Sequence, residues 1–380
     1  MQSKREQNAL FHAPVARSTT SGMTGHGYYN SHSAPQWNAI AKIMPWIEEA
    51  ARTIPLPAGS TGLADFGCSE GSNSIAVMTE AIRVLSTRSP LEIRTIYSDL
   101  PTNDFSELFL ALQRGEMPCD GQKNVYSSIV GGSMYDQLLP ARSISLASTF
   151  NTIGFLSRRP VAELKDYILP NGPSSIRACG SVSQEAENAF KRQAAQDVAD
   201  FLKMRATELV TGGKVIVEVF GCTQDARTCD GIYDALNDAV LYFVENGEIS
   251  RQTYSGYYQP VYFRTLKELT DPATDPAYGA SDYYTVDKAE AYEVSVPFCD
   301  AYRDTGDASA YARDFVGFFR AFTEAVLINA LPADEGRSDL VNTIYAKAKD
   351  LIEANPELYP FRYASVAMML TRKPWPKDTE

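Results

Sequence analysis

The sequence predicts an α/β protein built on a mostly parallel, doubly wound sheet, and three features carry that expectation. Gly62 to Phe66 reads as a short apolar strand that opens on a glycine-rich turn, passes into a helix over Ser72 to Leu85 and returns as a strand over Ile93 to Leu100. That is one β-α-β unit, the element from which parallel sheets are assembled. Lys214 to Phe220 is a Val/Ile-rich run of the kind buried on both faces of a sheet. With 380 residues, 44% apolar and 22% charged, the chain has the length and composition of a packed globular protein rather than a disordered or fibrous one.

The elements follow in order. Residues 1–35 are rich in Ser, Thr, Gly and His without a sustained period and read as a loose arm. From Gln36, helical spacing places Trp37, Ile40, Ile43, Met44 and Ile47 on one face until Pro55, Pro57 and Gly59 impose a turn. The helix after the first strand repeats Ile75, Met78, Ala81, Ile82 and Leu85. Ser143 to Phe150 is expected to be a strand and Ser183 to Val210 a long helix, closed by Gly212 and Gly213. Between Cys222 and Pro356 the β-branched runs thin out, and helices are expected at Ile232 to Glu245, Asp314 to Ala330 and Asp339 to Ala354. Phe361 to Arg372 returns to strand chemistry and can pair back onto the sheet. The organisation expected is an arm or lid at 1–35, a core at 36–221, a mostly helical block at 222–356 and a returning strand within 357–380.

Composition also excludes chemistry. A net charge of −12 disfavours a phosphate-neutralising surface, and so nucleic acid or anionic membrane as partners. No run of about 18 apolar residues exists to span a bilayer, and the N-terminus lacks the apolar stretch of a secretory signal. The six cysteines form no Cys-x-x-Cys pair and read as reduced cytosolic thiols, Cys68 as a small packing residue. The three histidines, His12, His26 and His32, all precede residue 33, so the rest of the chain cannot hold a Ser-His-Asp triad, a histidine metal cluster or a histidine base. No metal site is expected: Asp271, Asp275, Asp282 and Asp287 read as solvated loop residues. Tyr254, Tyr257, Tyr258, Tyr262 and Phe263 read mostly as packing.

The strongest local signal is Leu63 to Asn73. Gly67 and Gly71 permit a strand-to-helix turn whose backbone can approach a ligand, and the helix start offers free N–H groups. The spacing is Gly-x-x-x-Gly, not the Gly-x-Gly-x-x-Gly of a nicotinamide dinucleotide site. Asp65 at that strand tip repels a pyrophosphate but suits the ammonium of an amino-acid-bearing cofactor such as S-adenosylmethionine. Asp99, closing the next strand, can accept both hydroxyls of a ribose. The same residues also read as a capping Asp and the turn glycines of any α/β protein.

Three longer stretches resemble one family. Ala64-Asp65-Phe66-Gly67-Cys68-Ser69-Glu70-Gly71-Ser72-Asn73 is similar to the Ala-Asp-Leu-Gly-Cys-Ser-Ser-Gly-Pro-Asn segment of the SABATH methyltransferases, the salicylate, benzoate and theobromine group. Tyr97 to Phe105 resembles that family's Asn-Asp-Leu-Pro-x-Asn-Asp-Phe, and Phe201 to Gly213 its Phe-Leu-x-x-Arg-x-x-Glu-Leu-Val-x-Gly-Gly. The resemblance implies a Rossmann-like class I methyltransferase core, its mostly parallel sheet ended by an antiparallel strand, with an α-helical cap. It further implies a homodimer that uses S-adenosylmethionine, releases S-adenosylhomocysteine and takes a small carboxylic acid, while the reduced thiols read as cytoplasmic. Carried over by position, Tyr29, Ser33, Asp65, Gly67, Asn73, Asp99, Leu100, Ser133 and Met134 would surround the cofactor. Gln36, Asn151, Gly154 and Phe155 would meet the acceptor, with Gln36 and Phe155 aligning it.

Several positions depart from the family. Its adjacent His-Trp pair falls on Gly154 and Phe155, its nearby Tyr on Asn151, a Phe on Met134 and a Ser on Tyr28. The aromatic acids of plant members are therefore not assumed as acceptors. His26 and His32, flanking Tyr29, read as solvated loop residues. The reaction expected is methyl ester formation with no dedicated general base, since a carboxylic acid is ionised beforehand. The alternatives are N-methylation of a heterocycle such as a xanthine, or a non-catalytic cofactor-binding homologue.

Overall fold

A computed structural model describes residues 23, 27–88, 92–113, 124–333 and 336–375. His12, His26, Cys119 and most of the N-terminal arm lie outside the described residues. The centre is an eight-stranded sheet. Its strands are β1 (Ser60–Phe66), β2 (Glu92–Asp99), β3 (Val125–Gly131), β4 (Ile144–Phe150), β5 (Leu209–Cys222), β6 (Arg264–Thr265), β7 (Tyr284–Val294) and β8 (Tyr363–Arg372). The order is β3-β2-β1-β4-β5-β8-β7, with the short β6 parallel to the end of β5. β1 to β5 run parallel, while β8 is antiparallel to β5 and to β7. Strand order reverses between β1 and β4, which opens a crevice at the carboxyl ends of those strands, the usual ligand position in such sheets.

The helices are α1 (Tyr28–His32), α2 (Ala34–Lys42), α3 (Met44–Thr53), α4 (Ser72–Leu85), α5 (Phe105–Gln113) and α6 (Gln184–Glu208). They continue as α7 (Ile232–Glu245), α8 (Arg251–Gly256), α9 (Leu266–Thr274), α10 (Pro297–Thr305), α11 (Ala308–Ala330) and α12 (Arg337–Ala354). Alternation along β5 divides the core. Ile216 faces a cluster shared with α2, α3, α4 and the helices after β5, and Val215, Val217 and Val219 face one shared with α6 and α9. No helix among the described residues is long and apolar enough to cross a membrane.

Four differences from the sequence reading have physical causes. The apolar stripe from Gln36 to Ile47 is two helices, because Pro45 cannot donate into a continuing helix and restarts it as α3. The loose arm ends in the one-and-a-half-turn helix α1. α6 ends at Glu208, and Gly212 and Gly213 do not close it but lie within β5, where the register against β4 shifts between Ile144 and Leu146. A fully buried pair anchors the last turn of the helix. Arg205 Nε donates to Glu208 at 2.7 Å, and Glu208 also accepts the N–H groups of Leu138 and Leu139. The block read as mostly helical also supplies β7, an edge strand whose Asp287, Lys288, Glu290 and Glu293 hide its periodicity and discourage pairing with another chain.

Candidate functional site

The crevice begins at the turn after β1. Gly67 (φ 92°) and Gly71 (φ 100°) adopt the left-handed region. A Cβ on Gly67 would stand 2.0 Å from Thr152 Oγ1, and one on Gly71 2.3 Å from Leu108 Cδ1, so both positions require glycine. Hydrogen bonds hold the loop between them against β2. Gly67 N–H donates to the Ser98 carbonyl at 2.7 Å, and Ser69 N–H donates to Asp99 Oδ2 at 2.7 Å. Asp99 Oδ1 accepts Leu100 N–H at 2.7 Å. Burial pushes the Asp99 carboxyl above its usual range, and those two backbone donors oppose the shift. Each of its oxygens keeps a lone pair free for a further donor.

Asp65 is almost fully buried at 1% exposure and accepts the hydroxyls of Ser148, at 2.6 Å, and Ser74. Burial pushes its carboxyl up to about 6, the two hydroxyls pull it down, and the charge of Asp99 raises it again.

A cavity of about 530 Å³ fills the crevice. On the β2 and β3 side it is lined by Ser69, Asp99, Leu100, Ser133 and Met134; on the β4, β5 and β8 side by Gln36, Asn151, Phe155, Phe220 and Tyr363. Residues after β5 close it: Ile232 from α7, Phe263 before β6, and Phe318 and Phe322 one turn apart on α11. A second cavity of about 20 Å³ adjoins it, sharing Gly67, Ser69, Phe150 and Asn151 as walls and exposing Asp65, Asn73 and Asn30. Asp65 and Asn73 therefore lie one wall behind the large cavity.

Two amides face the acceptor side. Gln36 is 4% exposed, and its Oε1 has no hydrogen-bond partner. Asn151, in the left-handed region at φ 61°, has its Oδ1 taken by Tyr363 Oη at 2.9 Å and Phe220 N–H at 3.2 Å. With the oxygen occupied twice, the amide nitrogen is the end left for the cavity. Gly154 does not line the cavity: a Cβ there would fall 2.1 Å from Phe220 Cζ, so the Phe220 ring takes the space a larger side chain would need. Phe220 meets Phe155 edge-on at 6.0 Å and Phe263 at 4.6 Å.

Of the other expected residues, Ser33 is buried at the α1–α2 corner, its hydroxyl 3.4 Å from the Asn30 carbonyl, and lines neither cavity. Tyr29 lies on α1. His32 stacks on Tyr28 at 4.2 Å and rests over Gly317 of α11, away from both cavities. Tyr254, Tyr257, Tyr258 and Tyr262 are buried packing, whereas their neighbour Phe263 lines the cavity. Asp271 pairs with Lys267, Asp275 caps Ala277 N–H, and Asp287 holds Lys214. Phe220, Phe263, Phe318, Phe322 and Tyr363 were not assigned to the site from sequence. The i, i+4 spacing of Phe318 and Phe322 on a helix was the available signal. Glu218, also missed, is wholly buried beneath Phe220. One oxygen accepts Ser365 Oγ at 2.6 Å, the other has no partner, and burial pushes the carboxyl up to about 8.

The chain is similar in sequence and fold to known proteins. A family model described as SAM dependent carboxyl methyltransferase matches residues 17–373. Methyltransferase LUC1 of Fusarium sp is 27% identical over 255 residues, spanning 65% of this chain and 65% of that protein. Indole-3-acetate O-methyltransferase 1 of Arabidopsis thaliana is 26% identical over 352 residues, 86% of this chain and 88% of its own length. Among solved structures, loganic acid methyltransferase with SAH has the same fold, with a TM-score of 0.74 at 20% identity over 93% of this chain and 99% of that one.

Proposed function

The chain belongs to the S-adenosylmethionine-dependent carboxyl methyltransferase family, and on that premise we propose that it converts the carboxylate of a small, largely apolar organic acid into a methyl ester. The observation that carries this reading is a single cavity that joins Asp99, Leu100 and Met134 on one side to the amides of Gln36 and Asn151 within a phenylalanine-lined pocket on the other. When bound, S-adenosylmethionine supplies an electrophilic methyl on a cationic sulfonium; transfer to a carboxylate oxygen leaves a neutral thioether and a methyl ester.

The residues present fit that cofactor. Asp99 retains acceptor capacity for ribose hydroxyls, Leu100 and Met134 offer apolar surface and Ser133 a hydroxyl beside it, and Gly67 lines the same cavity. Asp65, its carboxyl pushed up to about 6 by burial, stands behind the loop on the side suited to an ammonium. Asn73 shares that small cavity, and Ser33 is buried where α1 meets α2.

The chain needs no general base. An acid of pKa near 4 is about 99.9% ionised at pH 7, so the nucleophile arrives prepared. What remains for the protein is alignment, whose entropic part reaches about 7 to 11 kcal/mol in well-oriented systems. Gln36 and Asn151 orient the carboxylate through neutral donors, and Phe155 and Phe220 exclude water from it. The block from 222 to 356 acts as a cap, through Ile232, Phe263, Phe318 and Phe322.

The test is methyl transfer from isotopically labelled cofactor to a panel of aliphatic, aromatic and dicarboxylic acids. The reading expects an acid-dependent, alkali-labile product. Label that survives mild alkali identifies N-methylation instead, and no product across the panel overturns the proposal.

A further inference from the structure

Glu70 stands where the resembling family segment carries Ser, and no part of the catalytic account uses it. It is 1% exposed, and it spends both carboxylate oxygens on the start of α1: Gly27 N–H donates to Oε1 at 2.6 Å and Asn30 N–H to Oε2 at 3.0 Å. The opposite side of α1 rests on α11. Tyr28 Oη lies 3.4 Å from the Gly317 carbonyl, and the His32 ring sits so close that a Cβ on Gly317 would be 2.8 Å from it. α1 is thus held between the glycine loop and the helix that carries Phe318 and Phe322, and it leads directly into α2 and Gln36.

The other end of this connection is Asp99, since Ser69, the neighbour of Glu70, donates its N–H to Asp99. We infer that Glu70 is a positioning residue that ties α1 to the cofactor loop, so that cofactor binding at Asp99 seats α1 against α11 and sets Gln36 for the acceptor. The inference rests on the cofactor reading above. A ligand that engages Asp99 steadies Ser69, hence the Glu70 backbone, hence the two N–H groups that open α1. Each link is a part-buried hydrogen bond or a chain neighbour, and a site with this coupling binds the acceptor more tightly once cofactor is in place. The coupling is reciprocal, so α1 in turn strengthens cofactor binding.

Hydrogen–deuterium exchange with S-adenosylhomocysteine alone as the probe tests this, alongside calorimetry of the same ligand. In the wild-type protein, saturating S-adenosylhomocysteine should slow exchange in peptides spanning residues 27–36 by about tenfold or more. Glu70→Ala should still bind S-adenosylhomocysteine and still protect the segment around Leu100 and Ser133, while its α1 protection changes by less than about twofold. Glu70→Gln, which keeps one carbonyl acceptor, should fall between the two, and it carries the test should the Ala variant not fold. Ligand-dependent α1 protection unchanged in both variants, or absent in a wild-type protein that binds the ligand, overturns the inference. A wild-type protein that does not bind S-adenosylhomocysteine overturns the cofactor reading instead.

Discussion

Asp99 and Asn151 each have an acceptor oxygen engaged by the protein, and the part left over defines what each can do. Asp99 keeps lone pairs toward the cavity, so Asp99→Ala should weaken S-adenosylhomocysteine binding by about 10- to 100-fold in calorimetry, the scale of hydrogen bonds to a charged group; retained affinity would refute the ribose assignment. Asn151→Asp preserves shape and the acceptor for Tyr363 and Phe220 but replaces the donor with a charged oxygen. It should raise the KM of the acid about tenfold or more with S-adenosylhomocysteine affinity little changed, and equal losses in both would place Asn151 elsewhere in the account. Glu218 makes a separate statement about stability. Its carboxyl ordinarily titrates near 4.5 and is pushed by burial to about 8, so the stability that its proton contributes is complete below the ordinary value and is lost as pH rises through 8. Glu218→Gln should therefore flatten the fall in Tm between pH 5 and 9, with a wild-type loss of at most about 5 kcal/mol. A variant with the same pH slope as wild type would show the carboxyl to be already ionised. Asp99 and Gly67 were legible in sequence because they belong to one contiguous strand-turn-helix signal. Phe220 and Glu218 were not, because a strand buried on both faces carries no mark of which face meets a ligand.

At the scale of elements, β1, α4, β2, β4 and β8 were legible because period and turn residues agree locally. β3 and β7 were not: both are edge strands, half-exposed and interrupted by polar residues, and their pairing is set by neighbours distant in sequence. The α6–β5 junction failed for a related reason. Gly212 and Gly213 look like a helix stop, yet the chain changes conformation four residues earlier, where Arg205 and Glu208 tie the helix end to the turn holding Met134, Arg205 Nη1 donating to the Met134 carbonyl at 2.7 Å. The turn after β4 shows how one element accommodates another. Gly154 lacks the side chain that the resembling family places there, and Phe220 of β5 occupies the space. Gly154→Ala should push that ring into the acceptor pocket, with a stability cost of about 1 to 3 kcal/mol in denaturant unfolding and a raised KM for the acid. An unchanged KM would mean that the ring does not border the acceptor.

Across the whole molecule, a net charge of −12 favours a cationic cofactor and opposes an anionic acceptor. Arg158 lines the cavity and carries a positive charge, its Nε donating to Gln193 at 2.5 Å, while at the end beside Asn151 the amides of Gln36 and Asn151 lie among phenylalanine rings. The scarcity of histidine fits a reaction whose nucleophile is already ionised. The central claim is that alignment of that carboxylate suffices without a general base, and the pH dependence of the single-turnover rate constant tests it most directly. With the best acid of the panel and both substrates saturating, the rate constant should change by less than about twofold between pH 6 and 8. A rise approaching tenfold per pH unit across that range, abolished in Glu218→Gln, would contradict the claim and make the buried carboxylate a base.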